Sequence, residues 1–84
     1  MKYTVTWKPD AEAELAAIWN AATDRSAIAQ AANKIDHLLA TNPAEQGESR
    51  TQSIRILFVE PIGIFFDVND ADLLVSVLRV WTIA

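Results

Sequence analysis

Between Ser53 and Thr82 short apolar runs alternate with turn residues. The runs are Ser53-Ile-Arg-Ile-Leu-Phe-Val-Glu60, Ile62-Gly-Ile-Phe-Phe-Asp-Val68 and Leu73-Leu-Val-Ser-Val-Leu-Arg-Val-Trp-Thr82, with Pro61 and Asn69-Asp70 between them. Three β-branched and aromatic stretches so separated predict an antiparallel meander. Both sides of these strands are apolar: Ile54, Ile56 and Phe58 alternate with Arg55, Leu57 and Val59, and Ile64 and Phe66 alternate with Gly63 and Phe65. A sheet with one wet face reads apolar on one side and polar on the other. This pattern predicts two covered faces, and the chain looks too short to cover both itself.

Upstream, Lys2 to Trp7 alternates strictly, with Tyr3, Val5 and Trp7 on one side, and predicts an edge strand. Pro9 suits a first helical turn, Asp10 and Glu12 suit a helix N-terminus, and Ala11, Leu15, Ile18, Trp19 and Ala22 recur at helical spacing. This predicts a helix from about Pro9 to Ala22. Ile28, Ala32, Ile35, Leu38 and Leu39 form the stripe of a second helix, about Ser26 to Thr41, which stops before Pro43. Asn42 to Gln52 carries Pro43, Gly47 and no apolar residue larger than alanine, and is expected to be a surface loop. The fold class is therefore α+β in the order β-α-α-β-β-β, an antiparallel sheet with a two-helix hairpin packed on one face. The expected core sets Leu15, Ile18, Trp19, Ile28, Ile35 and Leu39 against Ile54, Ile56, Phe58, Ile64 and Phe66. Leu57, Val59 and Phe65 then fall on the second face, which has no third helix to cover it.

At 84 residues the chain is expected to be one domain, residues 1–84, and 51% apolar residues supply a core. Without cysteine there is no disulfide staple and no thiolate metal site. No run resembles a signal peptide or a membrane span, so a cytoplasmic setting is the expectation. Eleven acidic against seven basic residues give a net charge of −4, which weighs against general nucleic-acid binding while leaving room for a local basic patch.

Few side chains suggest chemistry. His37 lies about 200° around its helix from Ile35 and points to solvent. With one exposed histidine and no cysteine, the usual nucleophile–base and metal sets cannot be assembled. Glu12 and Glu14 fall on the wet side of the first helix, and Asp67, Asp70 and Asp72 cluster at a turn where such residues bond their own backbone. Gly47 and Gly63 are the only glycines, so no phosphate-cradling loop exists. No cofactor or metal is expected. Arg50, Arg55 and Arg79 stand out, because an arginine fork beside apolar surface suits a carboxylate of this chain, a carboxylate of a partner, or a phosphate. The residues leave these alternatives open.

The order of elements and several strings resemble the RelE/ParE superfamily of bacterial type II toxins, the plasmid stabilisation family. The strings are Trp7-Lys-Pro-Asp-Ala-Glu-Ala-Glu-Leu15, Ile18-Trp19, Asp24-Arg25, Gly47-Glu-Ser-Arg50, Ile54-Arg55-Ile56-Leu57 and Val77-Leu-Arg-Val-Trp81. The resemblance spans nearly the whole chain. It implies a toxin neutralised by a cognate antitoxin that wraps it. The family's ribosome-dependent ribonuclease branch carries basic residues on the strands and a C-terminal aromatic. Here its second-strand basic position resembles Arg55, but Gly63 stands where that branch has an arginine, and Thr82, Ile83 and Ala84 stand where it has basic residues and a tyrosine. Arg50, Arg55 and Arg79 are the remaining catalytic candidates for mRNA cleavage, which also needs a general acid or base. The gyrase-poisoning branch has no comparable set. The resulting expectation is an antitoxin-binding toxin of unnamed target, with a ribosome-dependent mRNA endoribonuclease or a degenerate binding or oligomerising module as alternatives. Arg50, Arg55, Leu57, Val59 and Phe65 are the expected partner-binding residues, receiving an acidic-flanked antitoxin segment or, without one, a second copy of the chain.

Overall fold

The computed structural model describes residues 2–83, so Ala84, part of the departure noted at the end of the chain, lies outside the described residues. The elements are β1 (Thr4–Trp7), α1 (Pro9–Ala21), α2 (Arg25–Thr41), β2 (Glu48–Ser49), β3 (Ile54–Val59), β4 (Ile62–Asn69) and β5 (Leu74–Thr82). Both helices lie within a residue of their predicted limits. Pro at the first turn starts α1, and the Asp24 side chain accepts the Ala27 N–H at 3.1 Å to start α2. The stretch expected to be an irregular loop holds a short 3-10 turn, Pro43–Glu45, and the two-residue β2.

The sheet runs β1-β5-β4-β3-β2. The β3-β4-β5 meander is antiparallel, as its turns predicted, whereas β1 lies parallel to β5, so the sheet is mixed. The long path through the helical hairpin makes a parallel return possible. Helices cover one face. Its core holds Ile28, Ile35 and Leu39 of α2 against Leu57, Ile62, Ile64, Phe66, Val75, Val77 and Val80, with Ala11 of α1 among them.

One expectation fails on β3. Ile54, Ile56 and Phe58 were set toward the helices, yet Leu57 belongs to the helix-covered core and Val59 packs against it. The reason is parity. Only Glu60 and Pro61 separate the strands, so Val59 pairs with Ile62, Leu57 with Ile64 and Ile56 with Phe65. Paired residues share a face, so the odd-numbered residues of β3 join the even-numbered ones of β4. Leu57 and Val59 are therefore core residues, and Ile54, Ile56 and Phe58 turn outward with Phe65, although Ile56 is buried there as expected, at 8% exposure.

On α1, Ala11 is the one fully buried side chain, Leu15 and Ile18 are half-buried, and Trp19, expected in the core, is 40% exposed. Among the described residues, no helix is long and apolar enough to cross a membrane.

Candidate functional site

The face of the sheet away from the helices carries an aromatic strip. Phe58 of β3 meets Trp81 of β5 edge to face, with ring centroids 6.2 Å apart, and Trp81 meets Phe65 of β4 at 5.0 Å. Gly63 makes this possible. It pairs with Trp81, and a Cβ there would stand 2.8 Å from the indole and 2.9 Å from the Phe58 ring. The aromatic rings thus close over a position with no side chain.

A β-bulge shapes the other end of the strip. Phe65 pairs with Arg79 but Phe66 with Val77, which leaves Leu78 as an extra residue in β5. Val77 and Val80, three positions apart, both reach the core, while Leu78 and Arg79 line the outer groove. That groove, about 330 Å³, is bounded by Arg50, Thr51, Ile54, Phe65, Leu78 and Arg79.

Arg79 is held in place by α1. Its Nε and Nη2 lie 2.9 and 2.7 Å from Glu14 Oε2, and Glu14 Oε1 accepts the Val80 N–H at 2.9 Å. The cause is topological. β1 ends at Trp7, opposite Val77, and the Lys8 N–H donates to the Val77 carbonyl before the chain turns into α1. From that point the edge of β5 lacks a strand, and the Glu14 carboxylate takes the place of a strand acceptor. Glu14 was expected on a wet helix surface; its side chain is only 28% exposed. The Arg79 guanidinium, and then the Val80 N–H, hold its carboxyl below the ordinary carboxylate range.

Of the other expected site residues, Arg50 lies on the groove beside Glu48, 3.8 Å away, with both side chains largely in water. Arg55 is placed differently. It shares the helix-covered face with Leu57 and pairs with Phe66, and its Nε and Nη2 donate to the carbonyls of Gln46 and Gly47 at 2.8 and 3.1 Å. It fastens the turn into β2 rather than offering a free fork. The structure thus brings Arg50, Phe65 and Arg79 together on one open face and places Arg55, Leu57 and Val59 on the other. Sequence reasoning missed Ile54, Phe58, Leu78, Trp81 and Glu14. The two-residue loop at Glu60-Pro61 is the signal that would have found the first two.

His37 is exposed, as expected. At the expected acidic turn, Asp70 accepts the Tyr3 hydroxyl at 2.6 Å and Asp72 bonds Asn69, while Asp67 accepts the Ser53 hydroxyl. Among the described residues no group of three or more histidine or acidic side chains could hold a metal ion. What the outer face offers chemically is apolar aromatic surface flanked by two guanidiniums, each already beside a carboxylate. Among the described residues the groove holds no free acid–base pair.

An α+β fold with a helical hairpin on one face of a β1-β5-β4-β3-β2 sheet is the fold of RelE/ParE toxins. A chain of the Mycobacterium tuberculosis toxin–antitoxin complex RelBE2 superposes with a TM-score of 0.80 at 16% identity, over 98% of this chain and 92% of that one. A chain of the chromosomal ParDE system of P. aeruginosa gives 0.71 at 19% identity, over 99% and 98%. The isolated E. coli RelE toxin gives 0.71 at 16% identity, over 98% and 85%. No curated protein sequence matches the chain. The model of the ParE toxin family, the toxin of the type II toxin–antitoxin system parDE, matches residues 5–82. The chain belongs to that family.

Proposed function

We propose that this chain is a toxin neutralised by a cognate antitoxin in the cytoplasm, and that it acts by binding rather than by cutting RNA. The observation that carries this reading is the open outer face, with Phe58, Phe65 and Trp81 in contact and Arg50 and Arg79 at one end. An apolar surface of this kind on a small domain marks a binding site. Engagement of Arg55 by backbone carbonyls and of Arg79 by Glu14, together with Trp81 lying over Gly63, supports binding over phosphate chemistry. One solved neighbour is a chain of the M. tuberculosis RelBE2 toxin–antitoxin complex, which supports the same kind of partner here. The antitoxin segment would place apolar side chains on Phe58, Phe65 and Trp81 and carboxylates at Arg50 and Arg79.

The test is expression with and without any small reading frame that adjoins its gene, scoring growth, mRNA integrity and DNA supercoiling together. Growth arrest relieved by the neighbour, with mRNA intact, is the expected result. The rival, mRNA cleavage, draws on Arg50 and Arg79 sharing one groove. Codon-directed cleavage on translating ribosomes that is lost in Arg50→Ala would establish it instead. Unimpaired growth with the chain expressed alone would identify a non-toxic binding module.

A further inference from the structure

The two helices are fastened to the sheet by different means. α2 buries Ile28, Ala31, Ile35 and Leu39, so its hold is hydrophobic. α1 buries Ala11 alone, while Leu15 and Ile18 are half-buried and Trp19 is exposed. The small Ala11 side chain lets α1 lie close on β5, but it takes little apolar surface out of water.

Two polar fastenings make up the rest. At the middle of α1, Glu14 reaches both the Arg79 guanidinium and the Val80 N–H. At its end, the Arg25 fork donates to the carbonyls of Trp19 and Asn20 at 3.0 and 3.3 Å. Both fastenings meet water, since the Arg79 side chain is 62% exposed and the Arg25 bonds lie at the surface. Ion pairs and bonds so placed hold less firmly than a buried apolar face. The flanking chain also permits movement. Before α1 the last bond to the sheet runs from the Lys8 N–H to the Val77 carbonyl, and after it Ala22, Thr23 and Asp24 form an irregular link to α2.

We propose that α1 is a cover latched by Glu14, which opens as a unit while α2 and the sheet stay folded. It turns on Lys8 at one end and on residues 22–24 at the other. A detached helix of 13 residues is marginal in water, so the backbone bonds of α1 open with it. The open form differs from the closed one in the groups it offers. Arg79, which borders the outer groove, loses the Glu14 counter-ion, and Asp10 of the same helix, whose charge also acts on Arg79, leaves with it. The groove thus gains a positive charge only when α1 opens, and the β5 edge at Val80 loses its acceptor. This device belongs to the chain alone and does not rest on the identity of a partner.

Native-state hydrogen exchange, resolved by residue, tests it. In the wild-type chain the amides of Leu15 to Ile18 should exchange at least about tenfold faster than those of Ile35 to Leu39, with a shallower dependence on urea because opening exposes less surface than unfolding. Ile35→Val weakens α2 equally with the cover open or shut. It should therefore speed the α2 amides about two- to tenfold and leave those of α1 unchanged. Glu14→Ala should speed the α1 amides about tenfold and Arg79→Ala somewhat less, and the double variant should fall well short of the product of the two. Equal rates and equal urea slopes for the two helices in the wild-type chain overturn the proposal, since α1 would then open only on global unfolding. So do α1 amides that speed up in step with those of α2 in Ile35→Val. Fully multiplicative effects of Glu14→Ala and Arg79→Ala overturn the latch, because the two side chains would then act separately.

Discussion

The two faces of the sheet are close in side-chain chemistry and differ in what covers them. Leu57, Ile62, Ile64, Phe66, Val75, Val77 and Val80 on the inner face are each less than a tenth exposed, because α1 and α2 close over them. Ile54, Phe58, Phe65, Leu78 and Trp81 on the outer face are of the same kind or larger, yet they remain half-buried or exposed. Aromatic packing across the strands shields part of each and leaves the rest in water. Apolar character along a strand therefore does not identify the core. The inner face carries the stability of the fold, and the outer face leaves apolar area in water.

Adjacent residues of β3 offer the sharpest way to break this comparison. Leu57→Asp would put a carboxylate under α2 with no partner and should abolish cooperative unfolding, whereas Phe58→Asp on the next residue should leave it intact. Phe66, which has no exposed surface, should cost about 3–5 kcal/mol on change to alanine, a large part of the stability of a domain this size. Urea unfolding followed by circular dichroism measures all three. Equal losses from Leu57→Asp and Phe58→Asp would mean that the two faces are not distinct.

Gly63 is where the outer face depends on a missing side chain. Gly63→Ala should cost about 1–3 kcal/mol, because the methyl group needs space held by the Trp81 indole and the Phe58 ring. Near-ultraviolet circular dichroism should report the displaced indole. An unchanged signal together with unchanged stability would show that the rings yield freely.

Much of this arrangement could be read from the residues. Helix limits followed from Pro9 and Pro43, and the meander from its turn residues, since these are local signals. The resemblance strings pointed to the family that residues 5–82 match. The parallel placement of β1 was not legible, because it depends on how the helical hairpin returns the chain. Nor was the role of Glu14. Its bond to Val80 spans 66 residues and exists only because β1 stops at Trp7 and leaves the edge of β5 open. The faces of β3 were legible but misread: Ile54, Ile56 and Phe58 were set inward, whereas the two-residue loop required Leu57 and Val59 there. On β5, alternation alone could not have revealed the bulge at Leu78, since Val77, Leu78 and Val80 are all apolar.

Glu14 ties the two layers together, so Glu14→Gln tests their connection. The amide oxygen still accepts from Val80, but the charge facing Arg79 is lost, for an expected cost of about 1 kcal/mol at neutral pH. Arg79 holds the Glu14 carboxyl below its ordinary pKa of 4.5, so this contribution is complete above that value and disappears as pH falls through the lowered folded-state pKa. The wild-type and Glu14→Gln chains should therefore differ most at neutral pH and converge in acid. A gap that widens as pH falls would mean that folding raises the Glu14 pKa instead of lowering it.

The smallest effect belongs to Phe58→Ser. More than half of the residue is already in water, and its contact with Trp81 is a single edge-to-face pair. Removing it leaves no cavity in the core, so the loss should stay within about 1 kcal/mol, against several for Phe66→Ala. The same substitution removes the most exposed large apolar side chain of the outer face, so it should weaken binding to the neighbouring gene product by at least about tenfold in calorimetry. A stability loss near that of Phe66→Ala would show that the outer strip is structural. Unchanged affinity, with the fold intact, would place the partner away from the outer face.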